Sequence, residues 1–351
     1  MFRSLIVGLG RSGRGLHLPV LSRARAMRAS THLFDARPII AFDPWGTRSE
    51  LPSAVLVVRS LEQAGEMADP DRTVVHLCSP PATRVELLEQ LARCGFQKVV
   101  VEKPLAVDDQ ELAEITRLRQ TWNLDMVVVA PWLASSLTQR IRQTLHHGEL
   151  GALQSVFVVQ RKPRFTRSLA GCGHPSAFDI EMPHSLGVVL AIAGDATVCH
   201  AQLTDMRFED VVFPRLGSAW LSLDHNSGVG TEILSDLTSP TRERRITLKL
   251  EHGTLIGHYS NSEADHTAQL ITTVRGRETR SVFHDDALTI FMIQTYEHFA
   301  TAEHDNDDLL LNAEVVRLLS EAKRICTVSE QIGIGLLPSR CDGNGWGGRA
   351  Y

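Results

Sequence analysis

The sequence predicts two domains in succession: a doubly wound α/β domain with a parallel sheet, then an α+β domain built on a large, open, mostly antiparallel sheet. Three observations predict it. A chain of 351 residues is long for one hydrophobic core. Through residue 130, short β-branched runs alternate with longer amphipathic ones. After about residue 150 the apolar runs crowd together, many alternate apolar with polar, and turn residues separate them. The expected units are 1–127, 128–338 and a glycine-rich tail, 339–351.

In the first unit SLIVG (Ser4 to Gly8), PIIAFD (Pro38 to Asp43), AVLVV (Ala54 to Val58), TVVHLCS (Thr73 to Ser79), KVVVEK (Lys98 to Lys103) and MVVVA (Met126 to Ala130) read as strands. Several are continuously apolar, which suits parallel strands covered on both faces. RVELLEQLARCG (Arg84 to Gly95) repeats apolar residues at three and four positions and ends in glycine, so it reads as a helix with its C-cap. DQELAEITRLRQTW (Asp109 to Trp122) reads as another. In the second unit LQSVFVVQR, TVCHAQLTDM, SAWLSLDH, VGTEILSDL, RRITLKLEHGTLIGHY and AQLITTV read as strands, with helices around Ile180 to Ile192, Ala287 to Ala302 and Asn312 to Ile325.

Composition narrows the function classes. A net charge of -5, with scattered arginines, leaves no basic stripe for nucleic acid and no basic amphipathic helix for a membrane. The N-terminal apolar run is too short for a signal peptide and no stretch approaches a membrane span, so a cytoplasmic protein with a small-molecule ligand is expected. Six cysteines lack CxxC or zinc-like spacing, so neither a disulfide framework nor a metal site is expected.

Gly8-Leu9-Gly10-Arg11-Ser12-Gly13 is a GxGxxG directly between the first strand and a helical segment. The first glycine permits a tight turn, the second admits a pyrophosphate, and the third lets helix and strand pack closely. The helix N-terminus then presents free N–H groups and a positive dipole end to the phosphates. The reading is a dinucleotide-binding Rossmann domain. Asp43 ends the second strand about thirty residues on, beyond a longer connection than usual. A carboxylate there can accept ribose hydroxyls and would repel a 2′-phosphate, which favours NAD, although Arg11, Arg37 or Arg48 could admit NADP.

Only five of the 36 basic residues are lysines, and Lys103 falls at the carboxyl end of the fifth strand, in VVVEKPL. Ligand-facing residues of a doubly wound sheet lie at that edge. Pro104 stops the strand, and X–Pro is the usual site of a cis peptide bond.

GLGRSGRGLH, VVVEKPL, GELGALQSV (Gly148 to Val156) and PHSLGVVLAIAGD (Pro183 to Asp195) together resemble the Gfo/Idh/MocA oxidoreductase family, named for glucose-fructose oxidoreductase and inositol dehydrogenase. The resemblance implies NAD(P)-dependent chemistry on sugars, sugar derivatives or cyclitols, in homodimers or homotetramers built through the open sheet. It implies that Lys103 is the EKP lysine and His184 the second-domain histidine that meets it across a cleft. It also places Glu102, Ser79, Pro80 and Arg84 beside the cofactor. A histidine titrates near neutrality and can move a proton, while an ammonium can polarise the substrate oxygen.

Three departures accompany the resemblance. The aspartate usual four residues before the histidine is Ile180. Of the flanking acids, Glu181 lies within roughly 60° of His184 on a helix and Asp179 roughly 140° away, so Glu181 is the expected relay acid. Arg84 stands where the family tends to have histidine, and Pro131-Trp132-Leu133 replaces an asparagine-arginine-arginine run. Trp132 can stack on a substrate ring. The segment RKPRFTRSLAGCGHP carries Arg161, Lys162, Arg164 and Arg167, and a substrate phosphate or carboxylate is one reading, with Arg161 and Arg164 as its ligands. These departures keep open a dinucleotide- or ligand-sensing regulator of the same shape, and an enzyme that uses tightly bound NAD for transient oxidation.

Overall fold

The computed structural model describes residues 1–46, 51–170, 174–261, 265–301 and 307–332. Arg48, Cys172, Cys341 and the tail 339–351 lie outside the described residues.

Arg3–Val7 (β1), Ile39–Phe42 (β2), Val55–Val57 (β3), Thr73–Leu77 (β4), Lys98–Val101 (β5) and Asp125–Val128 (β6) form a parallel sheet in the order β3-β2-β1-β4-β5-β6. Each falls on a run expected to be a strand. β1 and β4 are buried at every position, because helices cover both faces, and this is the origin of their continuous apolarity. The strand order reverses between β1 and β4, and a crevice opens at the carboxyl ends of strands around such a switch point. Helix Arg84–Arg93 buries Leu87, Leu88, Leu91 and Ala92 against this sheet. It ends before Gly95, whose φ of 86° disfavours residues with a Cβ. Helix Asp109–Trp122 starts where the Asp108 carboxylate accepts the Glu111 N–H at 2.9 Å.

The second sheet is built from Leu153–Arg161 (β7), Ala196–Leu203 (β8), a small hairpin of Met206–Phe208 (β9) and Val211–Phe213 (β10) standing outside it, Ser218–His225 (β11), Gly230–Asp236 (β12), Glu243–Leu250 (β13), Gly253–His258 (β14), Thr267–Val274 (β15) and Arg277–His284 (β16). Its order is β16-β15-β14-β13-β7-β12-β11-β8, antiparallel except for β7 beside β12. The sequence did not suggest β16. RETRSVFH is exposed almost throughout at the sheet edge, where charge rather than apolar alternation blocks further pairing. Helices Met182–Ala193 and Asp307–Ile332 cover one face, and the other stays open with Phe157, Trp220, Leu234 and Ile256 half-exposed.

The last two described helices return to the first domain. Ala287–Ala300 inserts Phe291, Met292, Tyr296 and Phe299 into the cluster that holds Ile6, Leu21, Phe34 and Val74. Asp307–Ile332 adds Val316 to the cluster under β5 and Leu318, Leu319 and Ala322 to that of the second sheet. Its Lys323 ammonium pairs with the Asp179 carboxylate and donates to the Val107 carbonyl at 2.9 Å. Asp179 is 1% exposed and accepts from Ser176 Oγ as well. Removing the ammonium strands a buried carboxylate, so Lys323→Met should cost about 3 kcal/mol. A drop in urea midpoint at constant m would register it, and a loss under about 1 kcal/mol would show that Asp179 is compensated elsewhere.

Candidate active site

One cleft of about 1110 Å³ lies along the carboxyl edge of the first sheet and reaches the covered face of the second. Its first wall is the glycine turn. Gly8 has a φ of 92°, and a Cβ there would come 3.0 Å from the backbone of Cys78 and Ser79. A Cβ on Gly13 would sit 1.9 Å from the Gly8 carbonyl oxygen, so the third glycine is required by helix–strand contact. Gly10 has open space around the same position and lines the cleft, leaving the backbone free to meet a phosphate.

The Asp43 carboxylate accepts the Leu9 N–H at 2.7 Å and the Trp45 N–H at 2.9 Å, so it ties the second strand's end to the glycine turn while lining the cleft. Arg11 and Ser12 line it too, whereas Arg37 is turned to Asp35 at 2.9 Å. Ser79 Oγ, just past the end of β4, is buried without a partner among the described residues and lines the same space. An open glycine turn, a helix N-terminus and an unsatisfied hydroxyl fit a dinucleotide.

Arg84 and Pro80 also line the cleft, but Arg84 has a second task. It is 1% exposed and donates to the carbonyls of Pro104 and, at 2.8 Å, Leu105. Burial brings its pKa down to about 10. The Lys103–Pro104 peptide is cis, and Arg84 clamps the carbonyl that follows. The arginine in the histidine's place thus shapes the loop that carries the lysine.

Lys103 Nζ donates to the Ile180 carbonyl at 2.5 Å. The position expected to supply an acid therefore contributes its main chain, while its side chain sits in the second domain's core at 2% exposure. Burial lowers the Lys103 pKa, and the Glu181 and Glu102 carboxylates oppose that shift. His184 faces the same cleft from the first turn of helix Met182–Ala193. Burial, reinforced by the Lys103 charge, takes its pKa to about 3, so the imidazole is neutral at ordinary pH.

The relay expected from Glu181 takes a different form. The Glu181 carboxylate is claimed by Lys162 and, at 4.0 Å, Arg244, and its only hydrogen bond with His184 runs through the backbone, from the His184 N–H to the Glu181 carbonyl at 3.2 Å. Burial would raise its pKa, but Lys162, Arg244 and Lys103 hold it well below the usual carboxylate range. Asp179 is engaged with Lys323. What orients His184 is a stack of rings: His184 on Trp132 at 6.0 Å and 21°, and Trp132 on Tyr259 at 4.0 Å and 14°. Trp132 lines the cleft at 7% exposure, and its carbonyl accepts from Thr138 Oγ1, which also meets the Tyr259 hydroxyl at 2.8 Å.

The structure departs from expectation at Arg161. On β7, Gln160 points to the covered face and bonds Ser185, so Arg161 points to the open face, where it pairs with Glu243 at 3.1 Å. Lys162 and Arg164, beyond the strand, line the cleft.

Sequence reasoning missed a buried polar chain behind Glu102. His17 Nε2 lies 3.0 Å from Glu102 Oε1, His17 Nδ1 lies 3.0 Å from His76 Nδ1, His76 Nε2 lies 2.9 Å from the Tyr296 hydroxyl, and that hydroxyl lies 2.6 Å from Ser4 Oγ. His17, His76 and Tyr296 are fully buried. Every group is satisfied whether the donors run from Ser4 through Tyr296, His76 and His17 to the Glu102 carboxylate, or from a doubly protonated His17 both to Glu102 and through His76 and Tyr296 to Ser4; in either case His17 Nε2–H donates to Glu102. The signal for it was present, since His76 interrupts an otherwise apolar, doubly covered strand and must find a partner there. Burial pushes the Glu102 pKa up, yet the His17 hydrogen bond and charge, followed by the Lys103 charge, bring it to about 2.

A carboxyl so depressed adds stability above its unfolded pKa, near 4.5, and loses it as pH falls toward about 2. His17→Leu should therefore cost on the order of 2–3 kcal/mol at about pH 6 and distinctly less at about pH 3, measured by urea unfolding at both. An equal deficit at the two values would remove Glu102 from the account.

The comparisons with known proteins agree with this geometry. Residues 2–129 match the family described as "Oxidoreductase family, NAD-binding Rossmann fold", GFO_IDH_MocA. No curated protein matches in sequence. Among solved structures, the 3-ketoreductase KijD10 from Actinomadura kijaniata, crystallised with NADP and TDP-benzene, is 15% identical with a TM-score of 0.76, covering 93% of this chain and 98% of that one. The UDP-N-acetylglucosamine 3-dehydrogenase GnnA from Acidithiobacillus ferrooxidans is 17% identical with a TM-score of 0.69, covering 93% and 96%. A putative oxidoreductase from Klebsiella pneumoniae is 18% identical with a TM-score of 0.71, covering 93% of each chain. At such identities the likeness is one of fold. Residues 2–129, which carry the glycine turn and the EKP lysine, thus match the NAD-binding Rossmann domain of the Gfo/Idh/MocA oxidoreductase family.

Proposed function

We propose that the protein moves a hydride between NAD(P) and a secondary alcohol or ketone carbon of a sugar, sugar derivative or cyclitol, with residues 1–127 holding the dinucleotide and residues 128–338 the substrate. The observation that carries this reading is the placement of Lys103 Nζ and the His184 ring in one cleft with the glycine turn. The names of two structural neighbours, a 3-ketoreductase and a UDP-N-acetylglucosamine 3-dehydrogenase, support the reaction class, and the second supports the substrate class. A homodimer or homotetramer through the open face of the second sheet belongs to the same reading.

Bound NAD(P) supplies the carbon that gives or takes the hydride. The chain's own residues must manage the substrate oxygen. Lys103 is the proton-handling group: as an ammonium it donates to the oxygen during reduction, and as an amine it accepts during oxidation. Burial lowers the cost of the amine form, and the Ile180 carbonyl aims the nitrogen. His184, neutral and shelved on Trp132, holds a hydrogen bond to the same oxygen in place of acting as an imidazolium acid. Glu181 acts on Lys103 through charge and on Lys162 and Arg244 through contact, as a positioning residue. The missing relay acid favours one second reading, a sensor that binds dinucleotide without turnover.

Lys103→Ala should lower turnover by about 10²- to 10⁴-fold and His184→Ala by about 10²-fold, with NAD(P) affinity largely kept. Full activity in either variant removes that residue from the mechanism, and a sensor would show no turnover on a polyol and sugar panel in any form. The pH profile separates the two groups. Reduction requires the ammonium, so its kcat/KM should fall as pH rises through the lowered Lys103 pKa, and oxidation should rise across the same range. With His184 near 3, neither profile should bend near pH 6.5. A bend there that vanishes in His184→Ala would return the proton to the histidine.

A further inference from the structure

Among the cations that line the cleft near Lys103, Arg164 is held differently from its neighbours. Lys162 and Arg244 share the Glu181 carboxylate. Arg164 is 7% exposed and lines the cavity, yet its guanidinium meets no hydrogen-bonding or ion-pair partner among the described residues. Its Nε is shut away from solvent with no acceptor among the described residues. The backbone is pinned on both sides, with the Arg164 N–H donating to the Leu237 carbonyl at 3.0 Å and its own carbonyl accepting the Ser168 N–H at 3.0 Å. The side chain is therefore anchored at the cleft wall rather than drawn from a loose surface run.

A buried guanidinium without an anion is among the costliest arrangements in a folded chain, and a change to a neutral side chain of similar shape would relieve it. Its retention beside the reacting centre calls for a partner that arrives from outside. The surroundings repeat the demand: Lys162, Arg164, Arg167 and Arg244 border the cleft beside Lys103, with Glu102 and Glu181 the acids that act most strongly on that lysine, while Asp43, Asp285 and Asp286 also line the cleft. His174 reports the same field, since burial and the charges of Lys103, Arg164 and Arg167 take its pKa to about 3. The glycine turn that fits the cofactor's phosphates belongs to the first domain, whereas Arg164 is carried by the second.

We infer that Arg164 is the seat of an oxyanion borne by the substrate, a carboxylate or a phosphate, close to the carbon that Lys103 serves. This rests on the proposed oxidoreductase reading for the word substrate, and it narrows that reading from sugars and cyclitols in general to their acidic derivatives. A planar guanidinium can hold two oxygens of either group at once, and charge-assisted bonds of that kind are the strong ones.

The test uses the full chain saturated with NAD(P)H and four probes: D-glucuronate, D-glucose 6-phosphate, UDP-glucose and neutral D-glucose. At least one anionic probe should bind more tightly than glucose in calorimetry, and which one does so separates carboxylate from phosphate. Arg164→Gln should weaken that probe by about 10- to 100-fold, leave NAD(P)H affinity unchanged and raise the Tm of the unliganded protein, with Arg164→Lys intermediate in affinity. The inference is overturned if no anionic probe binds better than glucose, if Arg164→Gln weakens NAD(P)H, which would make the anion the cofactor's, or if the variant lowers Tm, which would make the arginine structural. The two readings fail separately. Arg164-dependent anion binding without turnover of any probe keeps the anion seat and removes the oxidoreductase, while turnover of glucose with no anion preference removes the seat and keeps the oxidoreductase.

Discussion

The hydrogen bond from Lys103 Nζ to the Ile180 carbonyl joins a strand end of the first sheet to the entry of a helix packed under the second. An ammonium buried at that seam is tolerable only if its donors are met and its charge is balanced, and much of the surrounding structure serves those two needs. Glu102 and Glu181 supply negative charge from either domain. Arg84 clamps the carbonyls behind Pro104, so the lysine leaves the loop in one direction. Lys323 ties Asp179, beside Ile180, to the carbonyl of Val107, a few residues past the lysine.

The same seam explains how the site works without an acid at position 180. A carboxylate against His184 would keep the imidazole charged, and an isoleucine in the core cannot do so. The ring instead lies on Trp132, itself stacked on Tyr259, and orientation comes from aromatic contact where it would otherwise come from charge. The cost is borne by basicity: burial and the lysine charge leave the imidazole neutral, and in the proposed reaction the proton therefore falls to Lys103.

Behind the lysine, Glu102 stays ionised in a buried position because a chain of donors ends on it. Tyr296, on a helix late in the sequence, closes that chain against a strand from the very start. The carboxyl edge of the first sheet is therefore completed by residues late in the chain. This fits the return of Ala287–Ala300 and Asp307–Ile332 to the first domain's core, which fixes the two sheets about one cleft.

Periodicity and turn chemistry are local properties, and what depends on them was legible in the sequence: six buried parallel strands, the glycine turn with Asp43 at the next strand end, the long helices, and Lys103 at a carboxyl edge. The β16 edge strand was not, because an exposed strand has no apolar period to read. Site geometry was partly legible. The cationic segment from Arg161 onward was visible, but which of its charges border the cleft depends on where the strand ends and where the helices pack: Arg161, on β7, faces the open side, and Lys162, past the strand's end, lines the cleft. The partners of Glu181, the stack under His184 and the chain from Ser4 to Glu102 join residues up to 292 apart in sequence, and no local pattern encodes such pairings. The sequence by itself determined the folds and the identities of the charged groups. Only the tertiary structure decided which charges are paired and which is left waiting, because burial and distance, not residue type, set the energy of a charge.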